Sequence, residues 1–292
     1  MDRVLRDWKT ILFLVLPGVA MVCAGIVFPI LMSGYISTTS MQGGSQGSFV
    51  GLQNYHTVFA DKTFWVSLMH ALILGIALMC IQHPLCMYFA LALDRLGGKA
   101  EKIFRILFFV PCVISTMVTS KMWVNVFNST FGFFNKALTA VGLESWTRNW
   151  LSNPDTVLIC VIFIVMWQGF GNGMLIYYAG VKGISSEVHE AAQIDGATSL
   201  KKFFLVTFPM LKPVVKMNVT LAMISALKQM ETVYLTTNGG PGDKSQFVAN
   251  YLYQQAFRNY KYGYANAISV IFVVICLATT LIYNRVIKVE NA

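Results

Sequence analysis

Cys80, His83 and Cys86 stand at three-residue intervals in the middle of a long apolar run. Thiols and imidazoles repeating at helical spacing are the groups that zinc or haem iron selects. The chemistry does not follow here. A metal site needs a fourth ligand and an oriented hydrogen-bond partner for each ligand, and Pro84 inside the triplet reads more simply as a helix kink. All six cysteines, Cys23, Cys80, Cys86, Cys112, Cys160 and Cys276, fall within apolar runs, where a thiol packs as a small hydrophobe and no disulfide framework is implied. No Gly-x-x-x-x-Gly-Lys-Ser/Thr phosphate cradle occurs, so the chain does not itself hydrolyse ATP. No His, Ser or acidic cluster is arranged for catalysis, and no catalytic residue, metal or bound cofactor is expected.

The elements that would carry any chemistry are set by composition. Of 292 residues, 56% are apolar and only 12% charged, and the mean hydropathy is +0.60. A soluble globular chain is about 25% charged, so this one lacks the charge to cover a water-facing surface. The net charge of +9 does not indicate nucleic acid, because the basic residues sit between apolar runs rather than on a polar face.

A membrane-crossing helix needs about 20 mostly apolar residues. Residues 11–32, 64–93, 106–127, 156–181 and 263–284 meet this, and 213–236 makes a sixth, weaker span interrupted by Lys216, Lys228 and Glu231. The first is retained as a span: its apolar run exceeds the signal-peptide core of about 7–15 residues, and Val22 before Cys23 is a poor cleavage context. With six spans, Lys and Arg are about twofold more frequent on the side holding Arg3, Arg6, the 95–105 connection, the 182–212 connection and Lys288, which places that side and both termini in the cytoplasm. The organisation expected is a cytoplasmic N-terminus, first span and outer loop in 1–63, a transmembrane domain in 64–285 that includes the cytoplasmic loop 182–212, and a tail in 286–292. The outer loop, with Gly43-Gly44-Ser45-Gln46-Gly47-Ser48, reads as a flexible linker.

The 182–212 loop is the most informative segment. Ser185 and Ser186 are N-cap candidates, Glu187 falls in the first turn where it complements the helix dipole, and Gly196 is a plausible stop. Val188, Ala191 and Ala192 share one face, Ile194 extends it, and Glu187, Glu190 and Asp195 supply acid. A second short helix is expected over 199–204, with Pro209 and Pro213 breaking the chain before the fifth span.

Two blocks in this region resemble a known family. Glu190-Ala191-Ala192, then Gly196, then Val206-Thr207-Phe208-Pro209, lying between two spans, resembles the EAA loop of binding-protein-dependent ABC importers; valine and Phe208 replace commoner isoleucine and leucine. Glu231-Thr232-Val233-Tyr234-Leu235-Thr236-Thr237-Asn238-Gly239-Gly240-Pro241-Gly242, followed by Gly263-Tyr264-Ala265, is similar to carbohydrate permeases of the maltose and glycerol-phosphate type. Glu231 stands where aspartate is commoner, and the extra outer domain of some maltose-type members is absent.

The resemblance implies an all-α integral membrane protein of six transmembrane helices with the type I ABC importer permease fold, in a bacterial or archaeal cytoplasmic membrane. It implies import of a sugar, with glycerol phosphate as an alternative solute and a secondary transporter driven by an ion gradient as the rival class. The implied partners are a second, non-identical permease, an ATPase dimer carrying ATP and Mg, an extracytoplasmic solute-binding protein and the lipid bilayer, with no nucleic acid. Glu187, Glu190, Ala191, Ala192, Asp195, Gly196 and Pro209 would form the coupling element: Glu190 as a polar anchor to the ATPase, the alanines allowing close approach, Gly196 allowing a bend.

A charge at a helix centre costs about 2.5–3.5 kcal/mol on insertion scales. Lys121 and Lys228 therefore snorkel, pair (Lys228 with Glu231), or edge a polar cavity. Under the last reading Asn218, Ser225, Lys228, Gln229, Glu231 and Tyr234 are the candidate substrate pathway, because sugars are held by hydrogen bonds and stacked rings.

Overall fold

A computed structural model describes residues 8–45 and 47–286. Arg3, Arg6, Lys288 and the expected tail beyond Val286 lie outside the described residues. The described chain is helical, with one isolated antiparallel bridge between Thr39 and Phe49. Five helices are long and apolar enough to cross a membrane: α1 (Ile11–Ser37), α2 (Lys62–Leu96), then, after α3 (Gly98–Val113) and α4 (Thr116–Val126), α5 (Val157–Lys182), and, after α6 (Ser186–Ile194), α7 (Ser199–Leu227). The short α8 (Glu231–Thr236) and then α9 (Tyr262–Tyr283), the last of the five, complete the set.

The sixth span is not a single helix. α3 and α4 meet at a 96° bend, where one straight helix over 106–127 was expected. Pro111 removes a backbone donor near the end of α3, Ile114 turns extended (φ −72°, ψ 133°), and the Ser115 side chain caps α4 by accepting from Val118 N at 3.4 Å. Counted as one broken span, the two halves bring the candidate spans among the described residues to six.

Four helical turns among the described residues are widened to π geometry: Cys23–Val27, Leu78–Gln82, Phe203–Thr207 and Gln254–Arg258. The first three directly precede Phe28-Pro29, His83-Pro84 and Phe208-Pro209. Proline lacks an N–H and crowds the carbonyl four residues back, and widening the turn before it relieves both problems without ending the helix. This overturns the expected break at Pro209 and Pro213: α7 runs unbroken from Ser199 to Leu227, with Pro209 in its post-π turn and Pro213 inside it. It also divides the Cys80, His83, Cys86 triplet, since Cys80 is exposed while His83 and Cys86 are buried.

The chain forms two compact units. One comprises the described part of the chain up to Asp61 together with 252–275. Its 39–49 segment is not the flexible linker expected from composition. Ser40 N donates to Ser48 O (2.8 Å), Val50 N to Thr38 O (2.8 Å), Gly43 N to Tyr260 O (2.9 Å) and Gly263 N to Met41 O (2.9 Å). Asn54 Nδ2 donates to both Ser37 O and Thr39 O at 2.8 Å, and the Tyr264 hydroxyl donates to Asp61. The glycines permit the turns, and the backbone bonds fix them.

In the second unit, 62–251 with the end of α9, α5 is the central helix and packs against α2, α3 and α7. Lipid is as apolar as leucine, so helices in a bilayer associate through close packing and interhelical hydrogen bonds. Both occur here. Gly171 brings α5 against the backbone of α3 at Phe108 and Phe109. The Cys112 thiol donates to Gln168 O (2.9 Å) and the Cys86 thiol to Phe170 O (3.2 Å). Around them Cys86, Ala90, Leu93, Met174, Tyr177 and Tyr178 form a buried cluster. Toward α4, Trp123 packs edge-on to Phe163 and Trp167, and Phe134 to Trp150. Asn135 ties this end together, accepting from Trp150 Nε1 (2.7 Å) and donating to Arg148 O (3.0 Å).

Candidate functional site

A cavity of about 600 Å³ opens among α2, α5, α7 and the start of α8, within the range of about 300–1,000 Å³ typical of small-molecule sites. α7 presents Asn218 and Ser225 to it, seven residues apart and so on one face, and Gln229 follows in the link to α8. Lys228 and Glu231 stand at its rim, both exposed. Five of the six candidate pathway residues therefore meet at one cavity; Tyr234, a turn further along α8, is not in its wall. Lys228 and Glu231 do not pair with each other. α7 ends at Leu227, Lys228 is its C-cap and α8 starts afresh at Glu231, so the two are not one turn apart on a common helix.

The walls also carry polar residues that the sequence reading did not assign to a solute pathway: Gln82, His83, Thr116, Gln168, Asn172 and Thr232. Amides inside apolar runs were the available signal, since an unneeded amide in a membrane span is costly. Gln82 Nε2 donates to Met166 O (3.2 Å) and Gln168 Nε2 to Ile114 O (3.1 Å). These bonds hold each amide in place. His83 lies edge-on to Tyr177, ring centroids 5.8 Å apart. His83 Nδ1 and Asn218 Nδ2 are buried without hydrogen-bond partners, although the residues are only 7% and 3% exposed. A buried polar atom without a partner is costly, and both residues line the cavity. Neutral amides, hydroxyls and an imidazole, with one cation and one anion at the rim, suit a neutral hydroxylated solute.

The coupling candidates lie beyond the end of α5. α6 starts after Ser185, which has N-cap backbone geometry (φ −63°, ψ 146°) but makes no side-chain cap bond. Val188 packs against buried Val181, Ile184 and Leu211, and Ala192 is buried. Ala191 is exposed, and Ile194, expected to extend the packed face, is 86% exposed. Glu187, Glu190 and Asp195 are exposed and take part in neither ion pair found among the described residues, Glu101 with Arg105 and Asp94 with Lys182.

α6 ends in a Schellman turn. Ala197 N donates to Ala192 O and Gly196 N to Gln193 O, both at 3.0 Å, and Gly196 takes φ +72°. That left-handed conformation suits glycine, and it directs the chain from α6 into α7. Asp195 is the C-cap, and Pro209 sits within α7 rather than at its start. Burial holds the His189 pKa below its ordinary value, and nearby Lys202 lowers it further while Asp94 opposes. The Glu231 to Gly242 block folds over buried Ser245 and Gln246. Ser245 Oγ bridges Thr237 Oγ1 (2.7 Å) and Gly240 O (2.6 Å), and His70 Nδ1 lies 2.9 Å from Gln246 O.

A family profile described as binding-protein-dependent transport system inner membrane component matches residues 84–289. The probable ABC transporter permease protein YurN of Bacillus subtilis is 31% identical over 90% of this chain and 91% of its own length. The multiple sugar-binding transport system permease protein MsmF of Streptococcus mutans is 31% identical over 96% and 95%. The trehalose/maltose transport system permease protein MalF of Thermococcus litoralis is 29% identical over 96% and 94%. Among solved structures, a chain of a bacterial alginate ABC transporter in complex with an alginate pentasaccharide-bound periplasmic protein superposes with a TM-score of 0.86. It is 20% identical and is covered over 98% of its length by the whole of this chain.

Proposed function

The chain belongs to the family of binding-protein-dependent transport system inner membrane components, and from that premise we propose that it is the permease subunit of an ABC importer that carries a sugar or oligosaccharide into the cytoplasm. The observation that carries the solute class is the cavity of about 600 Å³, walled by amides and hydroxyls. Curated relatives named for maltose, trehalose and multiple-sugar transport support the same class. The enclosing helices would alternate between inward- and outward-open packings, and Asn218, Ser225, Gln229 and the amides facing them would replace the water lost by sugar hydroxyls.

The energy comes from a partner. α6, with Glu190 and exposed Ile194 projecting from it, fits the groove of a cytoplasmic ATPase dimer that binds ATP and Mg, and the Gly196 turn passes the movement into α7. A second, non-identical permease and an extracytoplasmic solute-binding protein complete the assembly, with both termini of this chain in the cytoplasm.

The test is gentle solubilisation of the tagged chain from its native membrane, identification of co-purifying chains, and reconstitution. Recovery of an ATPase and a second six-span permease, with ATP-dependent sugar uptake, supports the proposal. Recovery of this chain alone, transporting without ATP, would replace it with an ion-driven carrier.

A further inference from the structure

A second hollow, of about 940 Å³, lies at the loop end of the second unit, between the last turns of α2, the inner side of α6 and the first turns of α7. Its character is not that of the central cavity. One part of the wall is apolar, supplied by Met87, Tyr88, Leu91 and Phe203. The rim carries Arg95 and Lys202. The acid in this hollow, Asp94, is held by Lys182 at 2.8 Å, which offsets its charge and leaves the two rim cations in excess. Tyr88 and Leu200 line the hollow yet are 65% and 73% exposed, a state suited to hydrocarbon rather than water.

We propose that this groove seats an anionic phospholipid of the cytoplasmic leaflet, with its phosphate between Arg95 and Lys202 and an acyl chain along Met87, Tyr88, Leu91 and Phe203. A free anion would use the cations and leave the apolar wall bare, whereas a zwitterionic lipid would cover the wall and leave the cations without a net opposite charge. An anionic amphiphile satisfies both. Because α6 and the first turns of α7 form two of the walls, the lipid would brace the coupling turn against α2, and transport would respond to the anionic lipid content of the membrane. The leaflet assigned rests on the orientation proposed above.

The assembled importer in nanodiscs is exposed to phosphatidylglycerol, and separately to phosphatidylcholine, each bearing a photoactivatable acyl chain, and the adducts are mapped by peptide mass spectrometry. Phosphatidylglycerol should label peptides from 84–96 and 199–207 about tenfold more than phosphatidylcholine, and Arg95→Gln with Lys202→Gln should remove that preference. Arg95→Lys with Lys202→Arg should retain it, and the wild-type comparison stands if the neutral double variant does not fold. Equal labelling by both lipids, labelling unchanged in the neutral variant, full competition by inorganic phosphate, or crosslinks showing the groove covered by the second permease would each overturn the proposal. The labelling requires neither transport nor ATP hydrolysis, so it can fail while the importer reading stands, and the reverse.

Discussion

Replacing Gly171 with alanine tests whether helix contact at the α3–α5 seam is limited by backbone. A methyl group on Gly171 would collide with the Phe108 carbonyl oxygen and lie 2.8 Å from Phe109 Cα. Neither atom can swing aside as a side-chain tip could, so the helices must separate. Overpacking of this kind costs about 1–3 kcal/mol. Separation also strains the bonds from Cys112 Sγ to Gln168 O (2.9 Å) and from Gln168 Nε2 to Ile114 O (3.1 Å), and interhelical bonds in membranes average about 0.6 kcal/mol each. Against this, alanine favours the helix by up to about 1 kcal/mol over glycine. The net loss is about 1–3 kcal/mol, or a fall in melting temperature of about 2–12 °C at 2–4 °C per kcal/mol. Tryptophan-fluorescence melting of the purified protein reads it, with Gly18→Ala as control because no atom comes within 4 Å of a methyl group there. A Gly171→Ala protein that melts together with wild type would refute the claim that this seam is in backbone contact.

Further outcomes are expected at other positions. Gln229→Leu should raise the apparent KM for the transported sugar by about 2–12-fold, the worth of one hydrogen bond of 0.5–1.5 kcal/mol, with basal ATPase unchanged; uptake assays in proteoliposomes decide it. Gly196→Val should abolish ATP-driven uptake while Gly196→Asn retains much of it, because the space around Gly196 is open and only its positive φ is selective, a conformation asparagine tolerates. Asn135→Leu should loosen the 128–156 segment to limited proteolysis and cost about 2–4 kcal/mol, since Trp150 Nε1 and the backbone at Ser129 and Arg148 lose their partner. For His189 the native pKa is the lower one, so the native state binds fewer protons than the unfolded chain as pH falls from near 6.5. Its contribution is whole above that value and lost on acidification through the native pKa. Melting curves across pH should therefore fall more steeply for wild type than for His189→Asn.

Five of the spans were legible in the sequence because apolar length is a bulk property, and a run of twenty apolar residues can do little else. The shape of the spans was less so. Pro111 and Pro209 look alike in a one-dimensional reading, yet one precedes a 96° bend and the other sits in a continuous helix. The difference lies in the preceding turn: a widened turn at Phe203–Thr207 accommodates Pro209, whereas after Pro111 the chain leaves the helix at Ile114. At the cavity, Asn218, Ser225 and Gln229 could be read as polar side chains in or beside one apolar segment. Gln82 and Gln168 could not be placed beside them, because they lie on helices whose facing is set by packing between segments far apart in sequence. The turn at Gly196 was legible for the opposite reason, since its conformation is decided by neighbours one to four residues away. The 39–49 segment failed the composition test because backbone bonds, together with Asn54 and the Ser40 and Ser48 hydroxyls, tie it down.

The widened turns have a consequence for how such a chain can change. Each holds one residue more than an ordinary α turn, and one residue corresponds to roughly 100° of rotation about the helix axis. Deleting one residue from a regular stretch of α2 would swing everything after it by that angle, whereas deleting one from Leu78–Gln82 would let that turn tighten to ordinary α geometry and leave the segment from His83 onward facing as before. The π turns are therefore points of tolerance: at them a single-codon deletion, ordinarily ruinous in a packed helix, is absorbed within one turn while the lining on either side stays in place.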